Sequence, residues 1–209
     1  MLRIFAHTIS VLFHPLLMLT YGLLFMMWVN PYQFGGISNN DMTLYMIGSI
    51  AGISFFFPIF SIVLMRMLGM VESFQMEERE ERIIPYISTG IFYLWLSVNI
   101  YRTSIFPPSF EIYAIGATLG LFLAFFINNF TKISMHTVGV GGFLAMVIIT
   151  ILSTVSPLHD LRMILLGVIV LTGLVGTARL ILHAHEPKEI YGGYLVGFAA
   201  QFIALNFLA

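Results

Sequence analysis

Long apolar runs constrain this chain more than any other feature of its sequence. A helix needs ~20 consecutive, mostly apolar residues to cross the hydrocarbon core of a bilayer. Runs of that kind cover residues 4–28, 43–67, 83–101, 112–130, 137–156, 163–182 and 190–209. They are continuous rather than alternating, which favours helices over the strands of a membrane barrel. We therefore expect an all-α, polytopic integral membrane bundle of about seven (six to seven) transmembrane helices, forming a single domain over residues 1–209.

The composition supports this class and excludes others. Of the 209 residues, 59% are hydrophobic and only 9% are charged, whereas soluble domains carry roughly 25% charged residues. The net charge of −1 gives no basic bias toward nucleic acid, and the absence of cysteine excludes disulfides and thiolate chemistry. We interpret the first run as a retained span, kinked at His14-Pro15, rather than a cleaved signal peptide. Glycine pairs predict close helix packing at 139 and 142, 173 and 176, and 193 and 197.

The ionisable residues between the runs are unevenly distributed. If all seven runs cross, residues 68–82, 131–136 and 183–189 lie on one face with the N-terminus, and they hold Arg79, Arg82, Lys132, His136, His183, His185, Lys188 and several glutamates. The opposite face holds little beyond Asp41, Arg102, Glu111, His159, Asp160 and Arg162. Ionisable groups at membrane depth are costly and are usually functional. The run EEREER, residues 77–82, is by itself typical of a solvated loop, but the histidines at helix ends are candidates for a site.

Three short elements on that face resemble the motifs of the phosphatidic acid phosphatase type 2 superfamily of lipid phosphatases. Ala178-Arg179, five residues, His185, three residues and Glu189 resemble its third motif. Ser134-Met135-His136 resembles the second. The first motif is present in part, with Gln75 at the lysine position, Arg82 at the arginine and a late proline at Pro85. The resemblance covers about residues 75–198.

This resemblance implies a metal-independent lipid phosphatase with no cofactor. His185 would attack phosphorus and form a phosphohistidine, Glu189 would support its imidazole, and His136 would protonate the departing alcohol. Arg82 and Arg179 carry planar forks suited to phosphate oxygens, and Ser134 can add a neutral donor. Pro187 suits the first turn of a helix, so the last span is predicted to begin beside His185. Candidate substrates are phosphatidic acid, phosphatidylglycerol phosphate and polyprenyl pyrophosphate.

The departures from the family pattern leave a second function open. Glu189 replaces aspartate, Ala178 replaces serine, Met135 replaces glycine and Gln75 replaces lysine. Lys132, which the pattern does not require, can supply the cation that is missing at Gln75, so we expect an active, compensated site. The alternative is a catalytically impaired member that binds or moves lipid phosphates. Arg79 and His183 are further possible phosphate contacts, and His183 is otherwise a rim or packing residue.

Two other interpretations concern the histidines. His136, His183 and His185 with Glu186 or Glu189 could hold zinc, but no HExxH motif supports this and the nearby arginines would repel a cation. His7 and His14 lie on one face of the first span and are interpreted as helix-packing residues. For the location we expect a bacterial inner (plasma) membrane. The positive-inside rule places the active-site face weakly in the cytoplasm, because that face has Arg3, Arg66, Arg79, Arg82, Lys132, Arg179 and Lys188 against Arg102 and Arg162.

Overall fold

A computed structural model of the chain describes residues 1–37, 40–73, 80–103, 105–153 and 160–208. Within these ranges the chain is all-helical, with no strand. Its α-helices are α1 (Leu2–Leu12), α2 (Met18–Val29), α3 (Asn40–Ala51), α4 (Phe57–Met67), α5 (Ile83–Thr103), α6 (Pro108–Asn128), α7 (Met135–Ser153), α8 (Leu161–Ile181) and α9 (Pro187–Leu208).

These helices form seven segments of sufficient length and apolarity to cross a membrane: Leu2–Val29, Asp41–Met67, Glu80–Thr103, Pro108–Asn128, Met135–Ser153, Leu161–Ile181 and Pro187–Leu208. The prediction of an integral membrane bundle is confirmed at this level. The main difference in bounds is at α6, which begins four residues earlier than predicted because Pro108 occupies its first turn. The last span begins at Pro187, three residues before the apolar run at 190 but beside His185, as the proline predicted.

The first span breaks where the sequence predicts a kink. His14 is extended, with φ −63° and ψ 136°, and its Nδ1 accepts a hydrogen bond of 3.4 Å from the backbone N–H of Leu16. Proline forces the preceding residue out of the helical region, so α1 ends at Leu12 and a short 3₁₀ turn, Pro15–Leu17, leads into α2. The break lets α1 pack on α8 while α2 packs on α3, α6 and α7.

The second span contains a π-helical turn that the sequence analysis did not predict. It covers Gly52–Phe56, directly before Pro58 in the first turn of α4. Pro58 has no N–H, so it cannot donate the usual helical hydrogen bond to the carbonyl of Ser54, four residues earlier. The π-helical turn, whose hydrogen bonds join residues five apart, accommodates this loss. The buried hydroxyl of Ser54 donates to the carbonyl of Leu16, 3.3 Å away. This bond ties the second span to the break in the first.

Helices α6, α7 and α9 form the centre of the bundle. A methyl group added at Gly197 would overlap the backbone carbonyl of Val138, and one at Gly193 would overlap the hydroxyl of Thr137. These glycines let α7 and α9 approach backbone to backbone. For the pair 173 and 176 the prediction of close packing is confirmed at Gly176, where an added methyl group would overlap the hydroxyl of Tyr194, but it was wrong at Gly173, where no described atom lies within 4 Å.

The predicted charged end of the bundle is a real structural unit. The Arg82 guanidinium donates to the carbonyl of Ile133 across 3.4 Å, which joins the start of α5 to the α6–α7 loop. The backbone N–H of Ser134 donates to the carbonyl of Glu189 across 3.3 Å, which joins the same loop to α9. Three segments that are far apart in sequence therefore meet at one end of the helices.

Candidate active site

A cavity of about 710 Å³ starts at this charged end and continues between the helices into the bundle. Six of the residues predicted from the sequence line it: Arg82, Lys132, His136, Arg179, His183 and His185. His7 and His14, which the sequence analysis interpreted as helix-packing residues, line it as well. Farther down, its lining is formed by apolar side chains, bare glycine backbone, Tyr113 and Gln201. The cavity thus joins a polar, cationic mouth to a largely apolar interior.

His185 and Glu189 form a buried pair at the mouth. The His185 Nδ1 lies 2.7 Å from the Glu189 carboxylate, and the two side chains are 5% and 8% exposed. The same carboxylate oxygen accepts from the backbone N–H of Glu186 at 3.3 Å. Because a carboxylate accepts, Nδ1 carries the hydrogen, and the Nε2 of a neutral imidazole retains its lone pair. The pair has the geometry of an oriented nucleophile or base.

The surroundings of His185 keep its imidazole neutral. Burial lowers the pKa of His185 to about 4, and the charges of Arg82 and Arg179 act in the same direction, while the hydrogen bond with Glu189 opposes them. At neutral pH the side chain therefore has an unprotonated nitrogen available for attack or for proton transfer.

Three cations surround the mouth, and each comes from a different element. Arg82 ends the Glu80–Arg82 turn, Lys132 lies half-buried in the α6–α7 loop, and Arg179 occupies the last turn of α8. The Nε of Arg179 is buried and has no hydrogen-bond partner among the residues that the structure describes. A buried donor without a partner is costly, and an anionic oxygen is the partner that suits a guanidinium best. The charge of the mouth is therefore suited to an anion.

His136 lies at the start of α7 and contacts the first span. Its Nε2 is 3.0 Å from the carbonyl of Ser10, which can only accept, so Nε2 donates. In the neutral ring, Nδ1 is then the atom with a free lone pair. The ring of His14 meets that of His136 edge to face, with centroids 5.5 Å apart. The interpretation of His14 as a mere helix-packing residue missed this contact, and the adjoining Pro15 was the one sequence signal that could have marked the position.

The remaining predicted residues differ in position. Ser134 is fully buried, its hydroxyl has no hydrogen-bond partner within the described ranges, and it is not among the residues that line the cavity. Its backbone holds the loop against α9 instead. His183 is exposed at the rim, with a φ of +53° in the α8–α9 turn, and lines the cavity. Gln75 and Arg79 lie outside the described residues.

The described residues were searched for a metal site and the chain was compared with known proteins, and neither search gave a positive result. Among the residues that the structure describes, no three His, Asp or Glu side chains are grouped so that they could hold a metal ion. Comparison of the chain with models of known families, with curated proteins and with solved structures gave no match. Function is therefore inferred from the chemistry of the cavity and from the spacing of the residues at its mouth.

Proposed function

We propose that this protein is a metal-independent membrane phosphatase that hydrolyses a lipid phosphate monoester or pyrophosphate through a phosphohistidine on His185. One observation carries the proposal: the His185–Glu189 pair lies on a cavity whose mouth is lined by Arg82, Lys132 and Arg179. Cations hold and neutralise the phosphoryl oxygens, while a neutral imidazole attacks phosphorus. This combination fits a phosphate ester better than an uncharged lipid.

The first step transfers the phosphoryl group to the enzyme. The lone pair on the His185 Nε2 forms a bond to phosphorus, and the bond from phosphorus to the lipid oxygen breaks with its electron pair on that oxygen. A protonated His136 donates a proton to that oxygen. The proton comes from Nδ1, because the Nε2–H of His136 is bonded to the carbonyl of Ser10. The imidazole ring of the phosphohistidine carries positive charge, which the Glu189 carboxylate at Nδ1 stabilises.

The second step releases inorganic phosphate. Water attacks phosphorus and gives a proton to the Nδ1 of His136, and the P–N bond breaks so that its electron pair returns to the His185 Nε2. Both histidines then have their starting protonation states, so the cycle balances without a further reactant. In both steps the two arginines bind the phosphoryl oxygens and stabilise their negative charge.

The substrate enters from the side of the bundle. Val11 of α1 lines the cavity although it is 56% exposed, so the cavity reaches the outer face of the bundle beside α1. Ile62 of α4 lines the same cavity. A lipid can therefore move from the bilayer into the cavity and bring its head group to the mouth without passing through water. The proposed location is a bacterial plasma membrane, with the mouth on the cytoplasmic side.

Phosphate release from purified protein tests this function. The panel comprises phosphatidic acid, phosphatidylglycerol phosphate and polyprenyl pyrophosphate, each with and without EDTA. We expect wild-type hydrolysis in EDTA, its loss in His185→Asn, and its retention in Lys188→Ala, a control three residues away whose side chain is 72% exposed, pairs with Glu186 and does not line the cavity. Substantial turnover by His185→Asn would assign the attack to another residue, and loss of activity in EDTA with rescue by zinc would favour a metal mechanism.

One observation favours the alternative of binding or moving lipid phosphates without cleavage. Tyr113 and Gln201 also line a second cavity of about 400 Å³, whose other residues include Asn30, Gln33 and Ser109 toward the opposite end of the bundle. These two side chains thus separate cavities that open toward opposite ends. Transfer of a fluorescent lipid phosphate between leaflets of reconstituted vesicles, with no phosphate release, would support this alternative.

A further inference from the structure

We propose that the deep part of the 710 Å³ cavity binds one linear apolar chain of the substrate, so that the preferred substrate is a single-chain lipid phosphate whose chain ends at Gln201. This rests on the proposed function for the headgroup, but the chain site has its own observations. They are the depth of the cavity, its volume, its lining and the polar floor that closes it.

The depth matches one leaflet of a bilayer. At 1.5 Å rise per residue, Gln201 lies roughly 21 Å along α9 from Pro187, and Tyr93 lies roughly 16 Å along α5 from Arg82. Both deep residues line the same cavity as the mouth residues. The hydrocarbon core is ~30 Å thick, so an extended chain of one leaflet spans ~15 Å. A phosphate held at the mouth therefore places the end of one chain near Gln201.

The volume fits one chain and not two. A cavity of ~150 Å³ accommodates the six carbons of benzene, which corresponds to ~25 Å³ per carbon. On that scale the 710 Å³ cavity holds on the order of 28 carbon-sized groups, including those at the mouth. One chain of about 16 to 18 carbons and its phosphate fill it. Two such chains exceed it, and a much longer polyprenyl chain would have to leave it.

The lining is apolar down to a defined floor. Leu19, Leu121 and Val138 alternate with the bare backbone of Gly120 and Gly139 along the walls. The floor is the amide of Gln201, which is 1% exposed. Its Nε2 donates to the carbonyl of Tyr113 across 3.3 Å, while its Oε1 is buried and no described residue donates to it. The bulk of this side chain closes the end of the cavity, so an apolar chain stops there, and the acceptor adds an unfavourable neighbour for its terminal methyl group.

Photocrosslinking locates the chain directly. The probe is hexadecyl phosphate with a diazirine at its terminal carbon, added to wild-type protein in an amphipol that supplies no detergent chains. We expect crosslinks in peptides around Gly116 and Gln201, and their loss in excess unlabelled hexadecyl phosphate. Crosslinks confined to lipid-facing positions such as Leu195, which is 69% exposed, would overturn the proposal.

Variants test the length and the width of the site. Binding of n-alkyl phosphates from 8 to 22 carbons should have an optimum near 16 in the wild type. Ala117→Phe narrows the wall and should weaken hexadecyl phosphate binding by about tenfold or more, while Ala199→Phe, a half-buried alanine outside the cavity, should not. Gln201→Ala should move the optimum to longer chains, whereas Gln201→Leu, which preserves volume, should leave it near 16.

The outcomes separate this inference from the phosphatase proposal. A length optimum with floor crosslinks but no phosphate release would refute the enzyme and keep the chain site. Phosphate release with equal rates for one-chain and two-chain substrates, no length optimum and no shift in Gln201→Ala would refute the chain site and keep the enzyme. If Ala117→Phe does not fold, the Gln201 variants and the crosslinks still decide.

Discussion

The buried contact between His185 and Glu189 sets the protonation chemistry of the site. Since burial lowers the pKa of His185 to about 4, the folded protein resists a proton that the unfolded chain accepts near pH 6.5. The unfolded state therefore binds more protons between about pH 6.5 and pH 4, and stability is lost as the pH falls through that window. A shift of this size corresponds to on the order of 3 kcal/mol.

The first prediction follows from this pair. Long-range ¹H–¹⁵N spectra of the imidazole should show His185 neutral at pH 7, with its hydrogen on Nδ1, and a titration midpoint near 4. Glu189→Gln removes the interaction that raises the pKa of His185, so its midpoint should fall further, and kcat should drop by on the order of 10³–10⁴, as for triads that lose their carboxylate. A midpoint above 6 in the wild type would contradict the argument.

The second prediction concerns Lys132, which lines the mouth. If its ammonium contacts the phosphoryl oxygens, Lys132→Ala should lower kcat/KM by on the order of a hundredfold, equivalent to roughly 2.7 kcal/mol of transition-state stabilisation. Lys188→Ala is the control, because Lys188 is 72% exposed and pairs with Glu186 instead. Lys132→Arg should be poorly tolerated, since a planar fork replaces a compact charge.

A double substitution sharpens this test. Gln75→Lys with Lys132→Ala returns the cation to the position that the resembling family uses, and partial recovery of kcat/KM would mean that both positions address the same oxygens. Wild-type kinetics in Lys132→Ala would assign the lysine to the membrane interface and strengthen the case for a site that binds without hydrolysis.

At the scale of helices, local patterns were predictable and long-range contacts were not. The seven spans follow from apolar run length, and the break at Pro15 follows from proline geometry. The contact between His185 and Glu189 is also local, because it depends only on a spacing of four residues beside the start of α9. The edge-to-face contact of His14 with His136 joins residues from two distant spans, and no short sequence pattern reports such a pair.

The third prediction tests the contact between α7 and α9 that holds Glu189 beside the α6–α7 loop. Gly197→Ala places a methyl group against the carbonyl of Val138, which is backbone and cannot turn away. We expect a lower Tm in detergent and a loss of about 1–3 kcal/mol. Gly173→Ala is the matched control: nothing lies within 4 Å of its new methyl group, and alanine favours a helix by up to ~1 kcal/mol. An equal Tm for both variants would contradict the packing argument.

Across the whole molecule, the cationic residues and the mouth of the cavity lie at the same end of the bundle. The cationic mouth lies at the end where the start of α5, the α6–α7 loop and the start of α9 meet, and the cavity extends from there toward Gln201. A lipid phosphate fits this arrangement in one orientation, with its head at the interface and its chain toward the midplane. The membrane side on which the mouth lies therefore decides which leaflet supplies the substrate.

The fourth prediction concerns the side of the membrane on which the mouth lies. The positive-inside rule predicts that the mouth lies in the cytoplasm, but Arg82, Lys132 and Arg179 are proposed to bind phosphate and contribute little to this choice. The chain contains no cysteine, so Lys188→Cys at the mouth end and Tyr32→Cys at the opposite end, 72% and 76% exposed, give clean single labels. In whole cells an impermeant maleimide should label position 32 alone, and position 188 should react only after lysis. Labelling of 188 in intact cells would put the mouth outside, and the substrate would then come from the outer leaflet.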